Sequence, residues 1–189
     1  MKRLRFSSSD KIFFTADTHF GHSNILRLAN LPFSSIEEKD ELQINNWNKV
    51  VPQDGIVIHA GDFALKCHPK RYNEILYRLN GSIYLCEGSH DRDAYNHPGR
   101  FTDVQDTYYI TIGMIEIFVS HYNHKVWPKS HYGSFQVHGH SHSRLDAYNS
   151  KEGKIFDACV ESNNYTPVSL ERVIEIMNTR PDNFNIIRK

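Results

Sequence analysis

Apolar residues along the chain fall into short runs with two different periods. Runs rich in Ile, Val and Phe at residues 11–16, 55–62, 82–87, 135–138 and 155–160 have the length and composition of strands buried on both faces. Two alternating runs, 108–112 and 115–120, flank Gly113-Met114 and predict a hairpin. Between the strands the period becomes helical. Ile36, Ile44, Trp47 and Val51 follow Ser34 and Ser35, with Glu37 and Glu38 three residues on, which is a capping-box signal. Tyr72, Ile75, Leu76 and Leu79 share one stripe of a helix over 69–80, with Gly81 as its stop. Ser169 is positioned to cap a last helix that turns Leu170, Val173, Ile174 and Met177 inward, and Ser23 to cap a short one through Ala29. The residues after Pro181 are expected to be loosely held. Strands alternating with helices predict an α/β fold, and no repeat, low-complexity tract or linker divides residues 1–189, so one domain is expected.

Composition narrows the function. Lys plus Arg and Asp plus Glu both total 22, so the formal charge is zero and a long nucleic-acid footprint, which needs a basic face, is not expected. No apolar stretch reaches membrane length, and the basic N-terminus has no apolar segment behind it, so a cytoplasmic protein without membrane contact is expected. Cys67, Cys86 and Cys159 form no CxxC pair and are odd in number, which favours buried thiols in a reducing compartment. Twelve histidines in 189 residues is the compositional oddity, and histidine is the commonest metal ligand.

The strand runs end in chemistry. The first leads into Asp17-Thr18-His19, where residues two apart in extended chain face one point. The second stops at Gly61-Asp62, the third at Gly88-Ser89-His90-Asp91, the second hairpin run at His121, and the fourth strand at Gly139-His140-Ser141-His142. Sheets with helices on their faces build sites just beyond the carboxyl ends of their strands. The run at 155–160 is expected to end without a ligand.

In order and spacing these five blocks resemble the calcineurin-like metallophosphoesterases, whose pattern is D-x-H, G-D, G-N-H-D, a lone H, and G-H-x-H. The stretches Thr18–His22 and Asn163–Leu170 look like a small bacterial and phage branch of that superfamily. The resemblance implies two packed mixed sheets flanked by helices, in an αββα sandwich, and two divalent transition metals about 3.5–4 Å apart. It implies Asp17, His19 and His142 on the first metal, His121 and His140 on the second, and Asp62 bridging both. A hydroxide between the metals would attack phosphorus, with His90 near the leaving oxygen as acid or hydrogen-bonding stabiliser. Mixed carboxylate and imidazole donors independently suit Mn, Fe, Zn, Co or Ni over calcium, with manganese expected first, and the lack of cysteine ligands speaks against a closed structural zinc.

One position departs from the pattern. Ser89 stands where the family has an Asn whose carbonyl reaches the second metal, and a neutral hydroxyl is a shorter, poorer ligand, so a weakened second site is expected. His22, Arg92, Asn123, His124 and Arg144 lie beside motif residues and are candidate substrate contacts. His59 and His138 precede ligands on extended chain and are expected to face away, in structural roles. Trp127 and the Tyr122/Tyr132 region read as core or loop packing, and His68, His97 and His131 have no assigned role. The expected activity is hydrolysis of a small phosphoester, a diester or nucleotide. The alternatives are a nuclease acting on nucleic-acid ends and a catalytically weakened binding module of the same fold.

Overall fold

The structure is a computed structural model that describes residues 1–92 and 100–184; His97 and residues 185–189 lie outside that range. Its frame is two five-stranded sheets. In the first, β2 (Ile12–Thr15), β3 (Ile56–His59), β4 (Ser82–Cys86) and β5 (Asp103–Gln105) run parallel, with β10 (Val168–Ser169) antiparallel on the β2 edge. In the second, β1 (Lys2–Phe6), β6 (Thr107–Ile112), β7 (Ile115–Ser120), β8 (Phe135–His138) and β9 (Ile155–Asp157) lie in that order. The β6–β7 pair is the antiparallel hairpin expected around Gly113; its neighbours pair in parallel.

The sheets face each other across one core. Phe14 and Ile58 from the first sheet meet Ile110, Val119, Val137 and Phe156 from the second. Helix α5 (Leu170–Asn178) closes that core with Leu170, Val173 and Met177, its start fixed by the Ser169 hydroxyl accepting from the Arg172 N–H. On the outer face of the first sheet, α2 (Ile36–Val50) and α3 (Pro69–Arg78) set Ile44, Trp47, Ile75 and Leu76 against Val57 and Leu85. Fully burying side chains of this size contributes about 1.5–3 kcal/mol each. The two-sheet α/β layout is therefore as the sequence led us to expect. No helix among the described residues is long and apolar enough to cross a membrane.

Local readings fared unevenly. The Ser35 hydroxyl caps α2 by accepting from the Glu38 N–H at 3.1 Å, and the Glu38 carboxylate returns to the N–H and hydroxyl of Ser34 rather than of Ser35. Helix α1 (Ser23–Leu28) starts one residue earlier than expected, with His22 and not Ser23 at its N-cap and no side-chain cap bond. The imidazole of His68, which had no role in the sequence, accepts the Lys70 N–H at the start of α3. Strand β1, strand β10 and helix α4 (Asp146–Glu152) were not anticipated. Lys2–Phe6 carries three cations in five residues, β10 is two residues long, and α4 buries only Asn149, so none offers an apolar stripe.

Candidate metal centre

Because β2, β3 and β4 are parallel and β7 and β8 are parallel, the carboxyl ends of each set emerge along one edge of its sheet. The chain then reverses sharply. Asp17, His19, Asp62, His140 and His142 all have positive φ, between 43° and 67°. Such backbone costs about 1–3 kcal/mol per non-glycine residue and persists only where the surroundings enforce it. Glycines make the close approaches. A Cβ on Gly139 would lie 2.6 Å from Asp17 Oδ2, and one on Gly61 or Gly88 would overlap His121 Nδ1 or Asp62 Oδ1. The G-D, G-S-H-D and G-H-S-H blocks thus need their glycines for space.

Two donor sets result. One ligand atom each from Asp17, His19 and His142 lie within 4.8 Å of one another, and the same holds for Asp62, His121 and His140. Asp62 stands between the sets, its Oδ2 3.4 Å from His121 Nε2 and 3.9 Å from both His19 Nε2 and His90 Nε2. The Ser89 hydroxyl sits 3.3 Å from both Asp62 oxygens, and the His90 N–H donates to Oδ1 at 2.9 Å. The residues singled out from the strand ends are therefore gathered into one cluster, with Ser89 exposed at its margin.

The donors fit a cation. His121 gives its Nδ1 to the Ala60 carbonyl at 2.9 Å, which leaves Nε2 buried without a hydrogen-bond partner. His142 holds Glu161 through Nδ1 at 2.5 Å, which leaves its Nε2 free; metal-binding imidazoles are commonly oriented by such a carboxylate. Burial pushes Asp17 up to about 7 and His19 down to about 3. Asp62 is also driven upward by burial, but the His121 imidazole 3.4 Å away, the field of His19 and the His90 N–H win and hold it below the usual carboxylate range.

Three supports hold the loops, and sequence reasoning assigned none of them. Asp91 accepts the N–H groups of Asp62, Phe63 and Gly88 at 2.6–2.8 Å, tying the second and third blocks together. Asp157 accepts from the Ser141 hydroxyl and the Ser143 N–H, fixing the last block. Buried Lys39 and Gln43 of α2 bind the Thr18 carbonyl, Lys39 also reaches that of His19, and Asp40 takes the Gly21 N–H. The run after β9 sets Glu161 against His142 Nδ1, and Cys159 Sγ lies within reach of His142 and Glu161 in one further group and of Asp17 and Asp157 in another.

The remaining predicted positions divide. His22 and Arg144 line a cleft of about 330 Å³ over the cluster, with His19, Asp62, His90, His140 and His142. Asn123 and His124 do not: Asn123 joins Gln136 and Asn149, and His124 meets the Ser120 hydroxyl and the Phe118 ring. Their closeness to His121 in sequence is undone because the chain turns across β7 and β8. Arg92 is exposed and does not line the cleft. His59 and His138 face away and are fully buried. His59 accepts the Gly61 N–H at Nδ1 and meets the Thr18 hydroxyl at Nε2; His138 Nε2 accepts from Asn149. Trp127 is buried and donates to the Ser134 carbonyl, while Tyr132 is exposed.

No protein-family model matches the chain. The crystal structure of AQ665, a protein of unknown function from Aquifex aeolicus, superposes with a TM-score of 0.71 at 25% identity, covering 89% of this chain and all of that one. The gene 66 protein of Mycobacterium phage L5 is 26% identical over 161 residues, 70% of this chain and 77% of its own length. The uncharacterized protein MJ1445 of Methanocaldococcus jannaschii is 34% identical over 175 residues, 90% of this chain and 93% of its own. At that identity and coverage, the chain belongs to the family of MJ1445.

Proposed function

We propose that the chain is a metal-dependent phosphoester hydrolase acting on a small phosphodiester or nucleotide-like ester. What supports this most is the meeting of two donor sets over one carboxylate, Asp62, at the strand ends. In this reading Asp17, His19 and His142 hold one divalent cation, His121 and His140 a second, and Asp62 touches both. Bound there, the two cations would supply Lewis-acid activation of water and offset charge on the phosphoryl group. Oxygen and imidazole donors favour manganese, iron, cobalt, nickel or zinc over calcium.

The chain's own groups divide the remaining work. Asp62 forms part of the floor of the cleft, and the Ser89 hydroxyl holds it from the margin. His90 is half-buried, anchored through its backbone N–H to Asp62, and its ring lines the cleft, where it can pass a proton or a hydrogen bond to the leaving oxygen. The formal charge of zero favours a small substrate over long duplex nucleic acid.

The test is turnover of bis(p-nitrophenyl) phosphate by protein loaded in turn with Mn²⁺, Fe²⁺, Co²⁺, Ni²⁺ and Zn²⁺. Hydrolysis lost to a chelator and restored by metal is expected. Absence of turnover on aryl diesters and monoesters with every metal would refute the reading and promote the binding module.

A further inference from the structure

Helix α1 carries an apolar stripe that lies outside the three core clusters, with Ile25 buried and Leu28 exposed. Ile25, Leu28 and Ala29 stand at i, i+3 and i+4, on one helical face. In α2, α3 and α5 the equivalent stripe enters a core cluster, but these three residues belong to none. All three line the cleft over the donor sets instead. Leu28 is 64% exposed, so its side chain is left for the cleft rather than for the interior. His22, one turn earlier on the same face, occupies the N-cap position without capping; it is 8% exposed, and its buried Nδ1 has no hydrogen-bond partner. Arg144 lines the same cleft, and its guanidinium makes no ion pair among the described residues. The cleft therefore has a floor of imidazoles and carboxylates and an aliphatic wall, joined at His22.

We propose that this wall is the binding site for the organic group of the substrate, selecting phosphoesters of apolar alcohols, one ring or a short chain in size, over sugar phosphates, which narrows the small-phosphoester reading away from nucleotides. His22 is the hydrogen-bond partner of the phosphoryl group where floor and wall meet. The inference rests on the phosphoester reading above. A cleft of about 330 Å³ is at the small end of ligand sites, which run roughly 300–1,000 Å³. Against aliphatic carbon a sugar would lose water from its hydroxyls and find no partner, whereas a phenyl or alkyl group loses nothing.

Two phosphonates that cannot be hydrolysed separate this inference from its foundation. Binding of methylphosphonate and phenylphosphonate to the Mn²⁺-loaded protein is measured by calorimetry. Phenylphosphonate is expected to bind about tenfold tighter or better, from the area its ring buries. Leu28→Asp, at an exposed position, should weaken phenylphosphonate about tenfold and bring the two probes close to parity. His22→Ala should weaken both by a similar factor, about tenfold, as loss of a shared hydrogen bond does. If methylphosphonate binds and phenylphosphonate binds no tighter, or if Leu28→Asp leaves their ratio intact, the wall is not a substrate site while the phosphoester reading stands. If neither probe binds the loaded protein, the phosphoester reading fails and the subsite with it.

Discussion

The two donor sets are alike in composition, one carboxylate and two imidazoles each, but unlike in what stands behind them. Around Asp17, His19 and His142 the protein builds a second layer. Glu161 orients His142, Asp157 fixes the loop that carries it, and Lys39 and Gln43 hold the Thr18–His19 carbonyls. Around Asp62, His121 and His140 the layer is thinner. His121 is oriented by a backbone carbonyl, while His140 is exposed and, among the described residues, its imidazole meets the rings of His121 and Tyr122 without a hydrogen bond. Ser89 closes this side with a hydroxyl. Each set has one imidazole held by a partner, His142 by a carboxylate and His121 by a carbonyl, so donor count does not set how firmly a site is preformed; the charge and number of the groups behind the donors do. The first set should hold its cation tightly and the second should fill only as metal is added.

Asp62→Asn should have the largest effect, because it removes the carboxylate common to both sets. Metal content should fall at both, and diesterase turnover should drop by about 10³-fold or more, the several kcal/mol that metal stabilisation supplies. Elemental analysis alongside turnover checks this, and near-normal metal content with normal turnover would refute the shared role. Glu161→Gln should then act on one set only. Affinity of the tighter cation should weaken about 10–100-fold, as loss of an orienting partner does, with the weaker one little changed. Competition with a chelator reads this; equal weakening of both cations would erase the asymmetry.

Ser89→Asn works on the other side of the comparison. It should shift activation by Mn²⁺ to lower concentration, by about tenfold or less, because one neutral ligand is gained without a change of charge. Superimposable titration curves for the two proteins would mean that Ser89 is not a weakness of the second site.

The smallest effect concerns the first set's scaffold. Burial holds the His59 imidazole down at about 3, against 6.5 for the free group. The folded chain therefore binds fewer protons than the unfolded chain between those values. His59's contribution is complete above pH 6.5 and is lost as pH falls toward 3, with a slope of at most about 1.4 kcal/mol per pH unit. Denaturant unfolding of the metal-free protein at pH 5 and 7.5 should show a shallower pH dependence in His59→Gln than in the parent. The same slope in both would remove His59 from this role.

The blocks at the strand ends could be read from sequence because ligand chemistry demands fixed residue types next to glycines that admit them, as Gly139 admits Asp17. The supporting layer could not. Glu161 lies 19 residues beyond His142, in a short 3-10 turn, and reads as an ordinary surface acid. Lys39, Asp40 and Gln43 read as the solvated face of α2, yet all three are buried, because the loop at Thr18–Gly21 uses their polar ends. Asn123 and His124 show the opposite case. Nearness in sequence to His121 suggested a shared site, but the fold engages their side chains elsewhere. Strand β1 escaped notice because Arg3 and Arg5 alternate with Leu4 and Phe6, which leaves too little apolar signal in five residues. Sequence showed which side chains gather at the strand ends; the fold was needed to show what holds them still.

The account turns on two cations sharing Asp62 but differing in grip, and a Mn²⁺ titration of chelator-stripped protein, followed by calorimetry, tests that most directly. Two binding events per chain are predicted, the tighter one weakened by Glu161→Gln and the weaker one strengthened by Ser89→Asn. A single event, or two that neither substitution tells apart, would contradict it.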